Sequence, residues 1–213
     1  LELVFSNGMD KGVRIGPATG NVEDMTTFEQ FYDAYKKQMD YAIQLLVNAD
    51  NAIDMAHAER CPLPFLSSMV DDCMKVGKTV QEGGAVYNFT GPQGFGVANM
   101  ADSLYSVKML VYDKKKITMG ELKEALATNF GKGLGAEDVA AMTAKIANEL
   151  KEAGKTIGEK EVAAILNTVV AASEAPEVKA NGERILKLIE EVPKFGNDIS
   201  EVDAFARDVA YTY

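Results

Sequence analysis

Hydrophobic positions recur every three or four residues along most of this chain, a spacing that predicts helices. The longest helix is predicted from Thr26 to about Ala58. Its start is indicated by the capping-box spacing of Thr26 and Glu29. At about 1.5 Å per residue it is roughly 50 Å long, which is typical of large folds. One apolar stripe follows its whole length: Phe28, Phe31, Tyr32, Tyr35, Met39, Ala42, Ile43, Leu46 and Ile53.

Shorter stripes of the same spacing predict further helices. Two of these helices are predicted over 67–76 and 99–112, and a third begins at the capping box of Thr118 and Glu121. Four more follow the stripes at 139–150, 162–170, 185–192 and 202–210. Ser200 is a candidate N-cap for the last of these. Between them, the glycine-rich residues 6–25 are predicted to form a loop. The prolines of Cys61-Pro62-Leu63-Pro64-Phe65 end the long helix, because proline lacks an amide donor.

One segment departs from the helical spacing. Residues Gly83–Thr90 predict a short buried strand that is entered through a glycine pair. A glycine loop (Gly91, Gly94 and Gly96) and the helix 99–112 follow this strand. The fold class is therefore α/β, with helices predominating.

The glycine loop has two interpretations. Its backbone amides and the following helix N-terminus would favour a phosphate group. However, the spacing Gly-x-x-Gly-x-Gly matches neither the dinucleotide fingerprint nor a P-loop, and no Lys-Ser or Lys-Thr follows it. A structural turn is the favoured interpretation of Gly91, Gly94 and Gly96.

Composition narrows the classes of partner. The 213 residues include 32 acidic and 22 basic side chains, giving a formal net charge of −10. Such acidity argues against nucleic acid and anionic membranes as partners. No apolar run reaches the ~20 residues that span a bilayer, and no secretory signal is recognisable, so a cytoplasmic location is predicted. Residues 132–192 are rich in Ala, Glu and Lys and contain no aromatic side chain, which indicates a helical insertion.

Few side chains suit catalysis. His57 is the single histidine, which excludes a multi-histidine zinc site, and we interpret it as solvated or as a helix cap. Cys61 and Cys73 have no activating neighbour, since Asp71 and Asp72 precede Cys73. From the residues alone we predict no catalytic residue, no metal site and no cofactor bound by this segment.

Both ends of the chain lack the usual signals of a terminus. Leu1–Phe5 has the pattern of an element already under way, and the last helical stripe reaches Tyr213 without a stop signal. We therefore expect an internal piece of a longer chain.

The stretch 83–112, GGAVYNFTGPQGFGVANMADSLYSVKMLVY, resembles the glycyl radical enzymes of the pyruvate formate-lyase-like family. Several other segments resemble the same family. They are Leu1-Glu2-Leu3 with Ser6-Asn7-Gly8, Thr26-Thr27-Phe28-Glu29, Pro62–Ser68, Asp72-Cys73, and Pro193–Asp198 with Val202-Asp203. The resemblance covers about 1–130 and 193–213.

The resemblance implies part of a ten-stranded α/β barrel. Residues 1–131 would belong to the barrel domain, 132–192 to a helical insertion, and 193–213 to the barrel again. In such enzymes a separate radical-SAM activase installs a glycyl radical, which passes to a cysteine whose thiyl abstracts a substrate hydrogen. The cysteine, its companion glutamate and the radical glycine are expected outside these residues.

For the site, the resemblance places Tyr87, Asn88, Thr90 and Gln93 nearest the cavity of a small-molecule substrate; a purely structural role for them is the alternative. It also implies a homodimer of the full-length protein in the cytoplasm, or within a bacterial microcompartment. Two hypotheses for function remain. One is an internal segment of a glycyl radical lyase that cleaves a C–C or C–X bond of a small metabolite, favouring the lyase and dehydratase branches. The other is a non-enzymatic helical interaction domain with a structural glycine turn.

Overall fold

The computed structural model describes residues 1–10, 12–88, 91, 93–132, 159–173 and 175–212. The predicted helix over 139–150 lies outside these residues. The α-helices are α1 (Glu2–Phe5), α2 (Phe28–Arg60), α3 (Pro64–Ser67), α4 (Cys73–Val76), α5 (Val97–Val107), α6 (Met119–Ala127), α7 (Glu159–Ser173), α8 (Pro176–Glu190) and α9 (Ser200–Ala210). Two strands, β1 (Met9–Asp10) and β2 (Val13–Arg14), form an antiparallel hairpin. Three 3₁₀ turns (Val22–Asp24, Val80–Glu82 and Asn129–Gly131) and a π-helical segment (Lys108–Asp113) complete the elements.

The chain divides into two compact units. Unit 1 contains Leu1–Asn21, Glu29–Ala101 and Ala204–Tyr213, and unit 2 contains Val22–Phe28 and Asp102–Asp203. Within the described residues, no helix is both long enough and apolar enough to cross a bilayer.

Aromatic side chains of α2 form the core of unit 1. Phe31 is fully buried and packs edge-to-face on Phe5 of α1, with ring centroids 5.6 Å apart. The ring centroid of the adjacent residue, Tyr32, lies 5.9 Å from that of Phe205 of α9. Such edge and tilted pairs are favourable for aromatic rings. The first half of α2 is therefore held from both α1 and α9.

Unit 2 is a helical cluster around aliphatic side chains. Among its described residues, those that are almost completely buried include Val22, Leu104, Tyr105, Ile185 and Val202. The helix α8 packs closely against the turn Asn129–Gly131 that follows α6. This close approach depends on glycine, because a Cβ at Gly182 would overlap the backbone of Phe130.

The capping box predicted at α6 is confirmed. Thr118 Oγ1 accepts a hydrogen bond from the Glu121 amide at 3.1 Å, and Glu121 Oε2 accepts one from the Thr118 amide at 2.7 Å. At α2 the helix begins at Phe28, so that Thr27 and not Thr26 directly precedes it. The predicted helices over 99–112, 162–170, 185–192 and 202–210 are also present, as α5 with its π-helical continuation, α7, α8 and α9.

Two predicted elements are wrong. Residues 67–76 form no single helix, since α3 and α4 are separated by a turn in which Asp72 adopts the left-handed φ of +70°. Residues 83–88, the described part of the predicted strand, form a turn and bends. A strand requires a hydrogen-bonding neighbour, and the described residues offer none to this segment.

The hairpin β1–β2 was not predicted, because glycines dominated the pattern of residues 6–25. Met9 pairs with Arg14 and Asp10 with Val13. It is the only sheet among the residues that the structure describes.

Candidate functional site

The predicted site residues lie in an exposed segment of unit 1. Tyr87 is 83% exposed, and Asn88 and Gln93 are exposed as well. Thr90 lies outside the described residues. The three described side chains that the resemblance places nearest a substrate are therefore exposed in this segment.

The three loop glycines are also exposed. Gly96 has a φ of +77°, a conformation that glycine adopts without strain. The Gly96 carbonyl accepts a hydrogen bond from the Met100 amide at 2.8 Å. Gly96 thus turns the chain directly into α5.

Asn88 lines a cleft of about 630 Å³ within unit 1. The C-terminal end of α2 forms one wall, with Asp54 and His57 among its residues, and the 3₁₀ turn Val80–Glu82 forms the other. Gly83 separates that turn from Asn88, whose Nδ2 lies 3.3 Å from the position that a Cβ at Gly83 would occupy. Among the predicted site residues that the structure describes, Asn88 lines this cleft and Tyr87 and Gln93 do not.

Hydrogen bonds fix the 3₁₀ wall of the cleft. Glu82 Oε2 accepts hydrogen bonds from the amide and the hydroxyl of Thr79, both at 2.9 Å. These hydrogen bonds lower the pKa of the Glu82 carboxyl, and the one from the Thr79 amide contributes more than the one from the Thr79 hydroxyl. Ser67 joins the same turn to α3, because its Oγ accepts from the Val80 amide at 3.0 Å and donates to the Leu63 carbonyl at 2.7 Å.

The described residues that line the cleft offer hydrogen-bonding groups but no thiol or hydroxyl side chain. Its polar lining comprises two carboxylates (Asp54 and Glu82), the His57 imidazole and the amides of Gln81 and Asn88. Cys73 is buried, Cys61 is exposed, and neither lines the cleft. No three metal-binding side chains come together in the part of the chain that the structure describes. Such a surface can hydrogen-bond to a small polar molecule.

A second polar network, which the sequence patterns did not reveal, orders the N-terminal loop. Gln38 of α2 is 6% exposed, and its Nε2 donates to the Pro17 carbonyl at 2.8 Å and to Thr19 Oγ1 at 3.2 Å. Asn7 Oδ1 accepts from the amides of Thr19 and Gly20 at 2.7 and 2.9 Å. The one signal in the sequence was a glutamine beside the apolar stripe of α2.

That loop closes only because glycine occupies its two crossing points. Gly8 has a φ of +77°, and a Cβ there would overlap the backbone of Gly16 and Pro17. A Cβ at Gly16 would in turn overlap Gln38 Oε1, which has no hydrogen-bond partner among the described residues.

Unit 2 has a charged cluster at the π-helical segment. Lys108 Nζ lies 2.6 Å from Asp113 and 3.8 Å from Glu201. Burial raises the pKa of Tyr105 to about 12, helped by its hydrogen bond to Glu201. Lys108 thereby joins Glu201 of α9 to the π-helical segment.

Comparison with known proteins identifies relatives of the whole segment. The family model described as pyruvate formate lyase-like matches residues 1–213. A solved structure from work on 1,2-propanediol dehydration in Roseburia inulinivorans is 53% identical and superposes with a TM-score of 0.87. The match includes 100% of this chain and 25% of the chain in that structure. The glycerol-bound B12-independent glycerol dehydratase of Clostridium butyricum is 43% identical, with a TM-score of 0.70. That match includes 100% of this chain and 21% of the dehydratase chain.

Among curated proteins, trans-4-hydroxy-L-proline dehydratase of Clostridioides difficile is 39% identical over 132 residues, which are 61% of this chain. The matched part is 17% of that dehydratase. The chain thus spans about one sixth of the length of the curated relatives that it matches. Its structural neighbours are glycyl radical enzyme barrels, which confirms the predicted fold class.

Proposed function

This chain belongs to the pyruvate formate lyase-like family, and from that premise we propose that it is an internal segment of a glycyl radical dehydratase acting on a small 1,2-diol. Related proteins are glycyl radical dehydratases and lyases, which supports a lyase-type role. The specific substrate class, a small molecule with a 1,2-diol unit such as 1,2-propanediol or glycerol, is our inference.

One observation carries the choice of substrate class. The 53% identity to the protein from the 1,2-propanediol work extends over all of this chain. The glycerol dehydratase also matches throughout, at 43%. The solved hydroxyproline dehydratase of Clostridioides difficile also covers 100% of this chain, but it is only 27% identical over that length. The sequence identities to these relatives therefore favour a diol over a cyclic amino acid as the substrate.

The proposed reaction removes water from the diol. A C–H hydrogen is abstracted and later returned, the neighbouring C–O bond breaks, and the hydroxyl leaves with a proton as water. Each diol then gives one aldehyde and one water, with no net oxidation. A protein-based glycyl radical, which a radical-SAM activase installs, supplies the initiating radical chemistry in this family.

In the proposed enzyme, this segment forms part of the wall of the substrate cavity and part of the surrounding scaffold. We propose that Tyr87, Asn88, Thr90 and Gln93 lie near the substrate, which the exposure of Tyr87, Asn88 and Gln93 supports. We propose further that residues 1–131 and 193–213 belong to the barrel, that 132–192 is a helical insertion, and that the full-length protein is a cytoplasmic homodimer. Enclosure in a bacterial microcompartment is the alternative location.

Activity of the full-length protein tests the proposal. After anaerobic activation, we expect 1,2-propanediol or glycerol to yield an aldehyde, detected by coupled reduction, and trans-4-hydroxy-L-proline to yield no product. Turnover of hydroxyproline with no turnover of either diol would overturn the substrate assignment.

Asn88 provides the test at the site. We expect Asn88→Ala to lower kcat/KM for the diol by about tenfold or more, because a lost hydrogen bond to substrate costs about 1.4 kcal/mol or more. The glycyl radical content, measured by electron paramagnetic resonance, should not change. Asn48→Ala, at an exposed position of α2, is the control. Equal kinetics for both variants would place Asn88 outside the site.

A further inference from the structure

The second half of α2 carries an apolar stripe that the described residues leave uncovered. In the first half of the helix, Tyr35 is 3% exposed, whereas Leu46 and Ile53 are 42% and 51% exposed. Steps of seven or eleven residues return to nearly the same face of an α-helix. Tyr35, Leu46 and Ile53 therefore lie along one line, buried at one end and open at the other.

This open region is a long one. No residue from Asp40 to Arg60 is buried. A helical stretch with no tertiary packing is marginally stable in water, and folded proteins rarely leave a continuous apolar face exposed. The stripe therefore needs a covering surface.

The spacing of the stripe indicates the shape of that surface. Ala42, Leu46, Ala49 and Ile53, which we call the α2 stripe, follow one another in steps of four, three and four residues. Steps of three and four form the seam along which a second helix packs nearly parallel or antiparallel. The alternation of alanine with a larger side chain allows close approach of that helix.

We propose that an apolar helix from the remaining polypeptide of the same protein covers the α2 stripe. This inference rests on the proposed function in one respect, namely that the chain is part of a longer protein. Continuity with the buried core around Phe31 and Tyr35 supports it, because the stripe extends an existing interior face. The solved relative has a chain of which this one covers 25%, which leaves ample polypeptide to supply the helix.

A tethered segment is favoured over a second copy or a separate protein. The four stripe side chains carry no charge, so they offer no polar group that would keep the face hydrated while a partner is absent. A segment of the same chain is present at high effective concentration at all times.

Cysteine labelling of the full-length protein before activation tests whether the stripe is covered. We expect N-ethylmaleimide to modify Leu46→Cys and Ile53→Cys at least about tenfold more slowly than Asn48→Cys, which lies on the opposite face of α2. Mass spectrometry of the tryptic peptides gives the rates. Equal rates at the three positions would overturn the proposal.

Photo-crosslinking tests which polypeptide covers it. Full-length protein is prepared with photo-leucine, once in normal and once in ¹⁵N-labelled form, and the two preparations are mixed, refolded together and irradiated. We expect crosslinks from the peptide that contains Leu46 to join peptides of the same isotope. Mixed-isotope crosslinks would identify a second copy as the occupant and overturn the proposal.

The two proposals fail in different ways. A protein that protects Leu46 by intramolecular contact but does not turn over diols refutes the substrate class and keeps the inference about the stripe. A diol dehydratase with a freely labelled Leu46→Cys refutes the inference about the stripe alone.

Discussion

Gln38 shows how one polar side chain within a core can organise a loop. Its Nε2 donates to the Pro17 carbonyl and to Thr19 Oγ1, and the side chain is buried. The sequence placed this residue on α2 beside the apolar stripe, but its partners lie about twenty positions away in the chain. Only the folded structure could therefore reveal the network.

We predict that Gln38→Leu loosens the N-terminal loop. Loss of the part-buried hydrogen bonds to the Pro17 carbonyl and to Thr19 Oγ1 costs about 1–3 kcal/mol in total. Hydrogen exchange of the amides in residues 5–20 of the full-length protein should accelerate by about tenfold or more. Gln44→Leu, at an exposed position of the same helix, should leave exchange there unchanged. Similar exchange in both variants would show that Gln38 does not hold the loop.

The capping box of α6 makes the start of that helix sensitive to pH. The Thr118 amide, then the Thr118 hydroxyl and Arg184, lower the pKa of Glu121 below its ordinary value of 4.5. A carboxyl with a lowered pKa in the folded state stabilises the protein above its unfolded pKa. That contribution is lost as the pH falls through the folded pKa.

We therefore predict that amides of the first turn of α6 lose protection from hydrogen exchange below about pH 4.5, after correction for the intrinsic exchange rate. Glu121→Gln should be less protected near pH 7 and should show a weaker pH dependence. Glu124→Gln, an exposed position in the same helix, should behave like the wild type. A wild-type pH profile in Glu121→Gln would contradict the role of this carboxylate.

At the scale of elements, α8 and the turn Asn129–Gly131 pack closely where they cross, with glycine on both sides. Gly131 has a φ of +71°, and a Cβ there would lie 2.8 Å from the Lys179 amide nitrogen. Gly182 faces the Phe130 backbone with equally little room. The periodicity of apolar residues predicted α8 and α6, the helix that precedes this turn. It did not indicate that α8 and the turn are in contact.

We predict opposite effects of alanine at two helical glycines. Gly182→Ala should destabilise the protein by about 1–3 kcal/mol, because the new methyl group meets backbone that cannot move aside. Gly120→Ala should stabilise it by up to about 1 kcal/mol, since alanine is the better helix former and the nearest atom, Thr118 Oγ1, is 4.0 Å away.

Thermal unfolding of the full-length variants measures both effects, with a lowered Tm for Gly182→Ala and an unchanged or raised one for Gly120→Ala. Stabilisation by Gly182→Ala would mean that α8 does not approach the Asn129–Gly131 turn as closely as described.

At the scale of the molecule, exposed apolar side chains dominate the surface of unit 1. Phe65, Met74, Tyr87 and Phe95 are each at least 74% exposed, in addition to the α2 stripe. Surfaces of this kind are unusual on proteins that function alone and are usual at interfaces. They agree with the fact that the chain covers only 17% of a curated relative.

We accordingly predict that residues 1–213, produced alone, are poorly soluble or molten. They should bind the dye ANS strongly and lack a cooperative thermal transition. The full-length protein should show weak ANS binding and a sharp transition, which serves as the control. A sharp melt with dispersed NMR signals for the 213-residue chain would contradict this prediction.

By itself, the sequence determined those features whose hydrogen bonds and packing are local. The helices α2, α5, α6, α7, α8 and α9 follow from periodicity, and the Thr118–Glu121 box follows from a spacing of three residues, because each donor finds its acceptor within the same turn or the next. The family and fold class were also recognisable, since residues 83–112 preserve a long specific pattern.

Tertiary structure alone decided the features that depend on partners distant in the chain. A strand at 83–88 would need neighbouring strands, and the described residues provide none, so the backbone bends instead. The Gln38 network, the Gly182 crossing and the cleft beside Asn88 each join segments that are far apart in sequence. Periodicity shows which face of an element is apolar; the fold decides which segment, if any, covers that face.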